Sequence, residues 1–207
     1  MADTPDTMQA HSSTRPQFGI NAIFWATFVA ALALGYLRQF GSPNLIVSGA
    51  IVVATAAIVG SLLGWPVHRV GDAAYWSVVI AAAAFLSVAG DSAASAPFRY
   101  AWSSVGILAG AACGAVAPRR LLQRVCFGAI AGGGGMLIGS MAMAVHDLEW
   151  VFDLICAPII GGLVGVLIEW IMWLERQSYT PRYVTASWLL CAVIGGNLLV
   201  PLVLGLV

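Results

Sequence analysis

Glu169 is the first residue to consider for chemistry, because it lies inside an apolar run, where an ionisable side chain is costly and needs a reason. Such a carboxylate serves as a proton or cation relay, or as the partner of a nearby cation. Arg176, seven residues further on, falls on the same helical face and is the local candidate for that partner. A position near one membrane interface also allows the side chain to snorkel toward water. Asn197 is the second candidate. It follows Gly195-Gly196 and precedes Pro201, while the preceding run carries Pro158 just before Gly161-Gly162. Each proline removes one backbone hydrogen bond, which frees the carbonyls of Leu154 and Asn197. Counted from a connection near Ser178, the two glycine pairs lie at equal depth. Helices broken at matching depth point to substrate or ion sites in transporters, since freed carbonyls coordinate cations. The alternative is a pair of matched kinks whose backbone finds other partners.

A third group is His146, Asp147, Glu149 and Asp153. On a helix starting near Asp147, Glu149 and Asp153 share one face at i, i+4 spacing. Carboxylates beside an imidazole suit a divalent cation, or draw cations to a pore mouth. Acids in a first turn also answer the helix dipole. This spacing alone defines no coordination geometry, so no metal is assigned.

Several chemistries are excluded. All nine basic residues are Arg, and without Lys there is no Schiff base and no lysine nucleophile. No GxSxG elbow or HExxH pair occurs, and the run Gly132–Gly135 lacks the Lys of a phosphate-binding loop. The four Cys (113, 126, 156 and 191) have no CxxC spacing and read as free, small, buried side chains. No catalytic residue and no cofactor is assigned. Net charge is zero with no basic block, so a nucleic-acid partner is not expected.

The elements that must carry these residues are membrane helices. Of 207 residues, 60% are hydrophobic and only 9% charged, against roughly 25% charged in a soluble domain. Apolar runs near the roughly 20 residues that cross a bilayer recur with short breaks. The composition predicts an all-α, polytopic membrane bundle of about seven helices, over residues 18–37, 44–65, 73–89, 100–117, 121–145, 150–174 and 184–207. Gly-Ser-Pro, Trp-Pro, Ser-Ala-Pro and Thr-Pro punctuate the breaks. Residues 1–17 read as a disordered cytoplasmic tail, and residues 18–207 as a single transmembrane domain. A cleaved signal over 18–35 is the less favoured alternative to an uncleaved first helix.

With the N-terminus inside, Arg15, Arg69, Arg119, Arg120, Arg124, Arg176 and Arg182 face inward and only Arg38 and Arg99 outward. That asymmetry predicts an N-inside, C-outside topology. Absent Lys and this orientation both argue against a rhodopsin.

Glycine sets the internal pattern. Gly60/Gly64, Gly110/Gly114 and Gly161/Gly165 form GxxxG pairs 50 and then 51 residues apart, each on the first helix of a hairpin. Three repeated helical hairpins plus one leading helix account for this. The middle copy, residues 106–140, adds Gly106 on its first arm and Gly128 and Gly132 on its second. Gly there lets helix backbones approach closely in lipid.

The segment Arg15-Pro-Gln-Phe-Gly-Ile-Asn-Ala-Ile-Phe-Trp-Ala-Thr27 resembles the opening of planctomycete-type bacterial integral membrane proteins. The resemblance covers about 20 residues and implies a bacterial cytoplasmic (inner) membrane, not an activity. Two functions are consistent with the chain. One is a small-solute or ion transporter or channel, with Glu169, Asn197, Asp153 and Glu149 along its polar pathway. The other is a non-catalytic scaffold or accessory subunit. Its partners are then the lipid bilayer and either further copies of itself or other subunits of a membrane complex.

Overall fold

Apolar runs such as residues 125–139 and 154–168, uninterrupted by a polar side chain for about four turns, leave a backbone in lipid only one way to satisfy its own groups, the α-helix. The computed structural model describes residues 20–39, 43–90, 94–117, 120–143, 149–178 and 182–203. The expected tail over residues 1–17, together with Asp91, Arg119 and His146, lies outside them. So do the side chains of Glu149, Arg182 and Pro201.

Seven helices fill the described residues: α1 (Ile20–Arg38), α2 (Pro43–Gly64), α3 (Val70–Ala89), α4 (Ala96–Ala115), α5 (Leu121–Met143), α6 (Glu149–Ser178) and α7 (Arg182–Val203). The expected all-α membrane bundle is what forms, with ends displaced by a few residues. The largest displacements are at α4, which starts four residues earlier than expected, and at α6, which runs four residues past Leu174. At α4 the Ser95 hydroxyl caps the helix by accepting from the Phe98 amide at 3.3 Å, and Pro97 fits the first turn, where no amide proton is needed. At α6 the strong helix formers Glu175, Arg176 and Gln177 carry the helix on.

Among the described residues, four helical segments are long and apolar enough to cross a membrane: Asn44–Gly64, Val70–Ala89, Leu121–Ala142 and Phe152–Gln177. Helix α4 is not among them, since it carries Arg99 and two serines in its first half. It has little need to be apolar throughout, because it is the enclosed helix. Half of its residues are buried, and it packs against α2, α3, α5 and α6. Helix α3 lies beside it, in contact with α2, α4 and α7, while α1 sits at the edge against α7 and α2.

The glycines face between hairpins more than within them. Gly60 and Gly64 of α2 lie on Ala73, Ala74 and Ser77 of α3, and Gly106, Gly110 and Gly114 of α4 lie on the same helix α3. A β-carbon on Gly114 would come within 2.6 Å of the Asp72 carbonyl oxygen. Gly128 and Gly132 of α5 meet Gly161 and Ala157 of α6, and Gly165 of α6 meets the backbone of Arg124. The arms of the middle hairpin touch elsewhere, where Gly135 and Gly139 rest on Ser104 and Ala101. Copies two and three of the GxxxG pair therefore each dock on the return helix of the hairpin before them. Copy one docks on the return helix of its own hairpin.

Candidate functional site

The glycine contacts draw one end of α3, α4, α5 and α6 together, and Arg124 occupies the point where they meet. It stands in the first turn of α5, one turn inside the helix, and its side chain is 0% exposed. Burying a guanidinium is tolerated only where its donors are met. Here Nε donates to the Cys113 carbonyl at 3.0 Å and Nη2 to the Val116 carbonyl at 2.9 Å. Those acceptors belong to the last turn of α4, whose final carbonyls have no partner within their own helix. A cation from α5 thus caps α4, at the end where the helix dipole favours positive charge.

The third side of the guanidinium faces Glu169. Arg124 Nη1 donates to Glu169 Oε2, and Arg176 Nη2 donates to Glu169 Oε1 at 3.0 Å. Arg176 is held in turn by its Nε bond to the Met172 carbonyl at 2.9 Å. Glu169 therefore bridges one fully buried and one half-exposed arginine. Arg69, from the α2–α3 connection, extends the network on the opposite side. It donates to the same Val116 carbonyl and pairs with Asp72 in the first turn of α3. The Cys113 thiol closes the centre by donating to the Arg124 carbonyl at 3.4 Å. Three cations and two carboxylates, Asp72, Arg69, Arg124, Glu169 and Arg176, tie four helices at one level.

The i+7 partnership of Glu169 with Arg176 is as the sequence reading expects. The Arg124 contact is the part that reading missed, since it treated Arg124 as a charge marking the inner loop. The available signal was position: Arg124 lies inside the run that begins at Leu121, past the loop cations Arg119 and Arg120.

The other candidates go elsewhere. Asn197 on α7 donates through Nδ2 to the Leu86 carbonyl of α3 at 2.9 Å, near the end of the bundle away from Arg124. Asp153 is half-buried near the start of α6, also at that far end. Glu149 lies in the first turn of α6, with its side chain outside the described residues. Helix α6 continues through Pro158, whose ring lies over Gly133 of α5. Pro201 is likewise inside α7. The two glycine pairs do not face one another. Gly161 and Gly162 pack on α5, whereas no neighbouring atom comes within 4 Å of a β-carbon placed on Gly195 or Gly196.

Between the Arg124 level and Asn197 the bundle is mostly apolar, and its buried polar groups are scattered serines such as Ser77, whose hydroxyl donates to the Ile107 carbonyl at 3.0 Å. A cavity of about 200 Å³ between α3, α4, α6 and α7 is lined by Ile80, Val105, Ile160, Leu167 and Leu189 among others. A second, of about 420 Å³, opens between α6 and α7 and shares Leu167 and Leu189 with the first. Its other walls are chiefly Trp170, Ile171, Trp188 and Ala192, with Thr185 at one end, where the hydroxyl donates to Glu175 at 3.2 Å. Among the described residues, no group of three or more His, Cys, Asp or Glu is placed to hold a metal ion. The cysteines are free, with Cys113 buried, Cys156 and Cys191 half-buried and Cys126 exposed, unlike the buried position expected for all four. In comparisons with known proteins, no family model, curated protein or solved structure matches this chain.

Proposed function

We propose that this chain is a non-catalytic structural component of a bacterial inner membrane, a scaffold or accessory subunit, and that its polar network locks the bundle instead of conducting a solute. One observation carries this reading. The ionisable residue expected to lead a pathway, Glu169, is held between Arg124 and Arg176, while Asn197 is bound to α3 at the opposite end. The cavities between them are lined by aliphatic and aromatic side chains apart from Ser87 and Thr185, which offer no succession of polar steps to an ion. In this reading the Arg-rich end faces the cytoplasm, and the apolar outer faces of α1, α2, α5 and α6 meet lipid or another subunit.

Flux measurements test it. Liposomes containing the purified chain should show no selective uptake above empty liposomes across a broad panel of ions and small solutes. Selective uptake that falls in Glu169→Gln or Asn197→Ala would overturn the proposal and restore the transport reading. The accessory role further requires a stoichiometric membrane partner after extraction in mild detergent. A clean monomer from native membranes counts against it.

A further inference from the structure

Beside the arginine network, and outside it, a pocket of about 460 Å³ opens at the same end of the bundle. It lies between the end of α2, the last turn of α4 and the first two turns of α5. Its walls divide by chemistry. Toward the membrane they are Leu63, Ala112, Ala115 and Phe127; toward the bundle end they are Arg69, Arg120 and Gln123. Leu63 and Phe127 are both more than 40% exposed, so the apolar part opens sideways to the bilayer.

Charge favours an anion at the other part. Arg69 and Arg120 line the pocket, and among the described residues Asp72, paired with Arg69, is the acidic side chain joined to this wall, which leaves the pocket net positive. The carbonyl end of α4 would repel an anion, but Arg69 and Arg124 already occupy the Val116 carbonyl, and Arg124 the Cys113 carbonyl. Helices α3 and α5 both begin at this end, so two helix N-termini add positive potential. Arg120 is exposed, and its Nη1 donates to the neighbouring Gln123 Oε1 at 3.1 Å, which holds the guanidinium at the pocket rim.

We propose that this pocket binds an anionic phospholipid, with the phosphate against Arg69 and Arg120 and an acyl chain running between Leu63 and Phe127. A basic rim over an apolar wall at membrane depth matches a lipid that carries negative charge above a hydrocarbon tail. It does not match a zwitterionic lipid, which offers no net charge to the two arginines.

Native mass spectrometry of the full chain in mild detergent tests this with added phosphatidylglycerol or phosphatidylcholine. The wild-type chain should retain phosphatidylglycerol in preference to phosphatidylcholine. Arg120→Gln should lower phosphatidylglycerol affinity about fivefold, as removing one interfacial cation does. Gln123→Glu, which adds a carboxylate at the rim, should lower it similarly. Arg38→Gln, at the end of α1 and the opposite end of the bundle, should leave it unchanged. Equal retention of the two lipids, or unchanged affinity in both Arg120→Gln and Gln123→Glu, overturns the proposal. Full displacement of the lipid by millimolar inorganic phosphate also overturns it, since that marks an anion site with no use for the chain.

Discussion

Removing the guanidinium of Arg124 would take its donor from the Cys113 carbonyl, leave the Val116 carbonyl to Arg69 alone, and leave Glu169 with Arg176 as its remaining arginine. Breaking a fully buried pair from one side costs about 3–5 kcal/mol, and here Arg176 still compensates Glu169, so the loss lies at or below the lower end of that range. Arg124→Met is therefore expected to lower the thermal unfolding temperature in detergent sharply. Glu169→Gln should cost less, since Arg124 keeps both carbonyl acceptors and a neutral amide oxygen can still accept. If Arg124→Met unfolds within a degree or two of wild type, the network is not what ties the helices. The sequence reveals half of this site. Glu169 and Arg176 lie on one helix, where spacing alone dictates that they meet. Arg124 comes from another helix and is held largely by backbone carbonyls, which leave no trace in side-chain spacing.

At the scale of the helix, glycine acts through position more than through number. Gly128 and Gly161 bring α5 and α6 so close that a β-carbon on either would overlap the other's carbonyl oxygen. Gly134, two turns along α5, has no neighbouring atom within 4 Å of the same construction. Gly128→Ala should thus force the two helices apart and lower the unfolding temperature, by an overpacking cost of about 1–3 kcal/mol or more. Gly134→Ala should leave it unchanged or raise it slightly, since Ala is the better helix former. Both are read in one thermal unfolding series, and equal effects would contradict close approach at Gly128. The 50-residue glycine spacing was visible in the sequence. Which helix each stripe would meet was not, because a small-residue stripe records that something comes close without recording what. Pro158 has the same ambiguity: read alone it suggests a broken helix, yet in the bundle its ring fills the room that Gly133 leaves on α5.

At the scale of the molecule, helix number and order follow from apolar length and turn residues, and the structure retains them. The relation of the last two helices does not follow, because α6 and α7 are separated along much of their length by the cavity lined with Leu167, Trp188 and Leu189. Topology depends on the arginines. Arg124 is buried in the bundle, so one of the seven cations on the Arg-rich side serves packing. Even without it, six remain against Arg38 and Arg99, so the proposed orientation with that end toward the cytoplasm does not rest on Arg124. Single cysteines in a chain with its four native Cys replaced would report this. Gln177 at the end of α6 and Gln39 after α1 are both exposed, at opposite ends of the bundle. A membrane-impermeant thiol reagent should label Gln39→Cys in intact cells, and Gln177→Cys only after the membrane is opened. The reverse pattern would turn the molecule over and put the arginine network, with the lipid pocket beside it, on the outer leaflet.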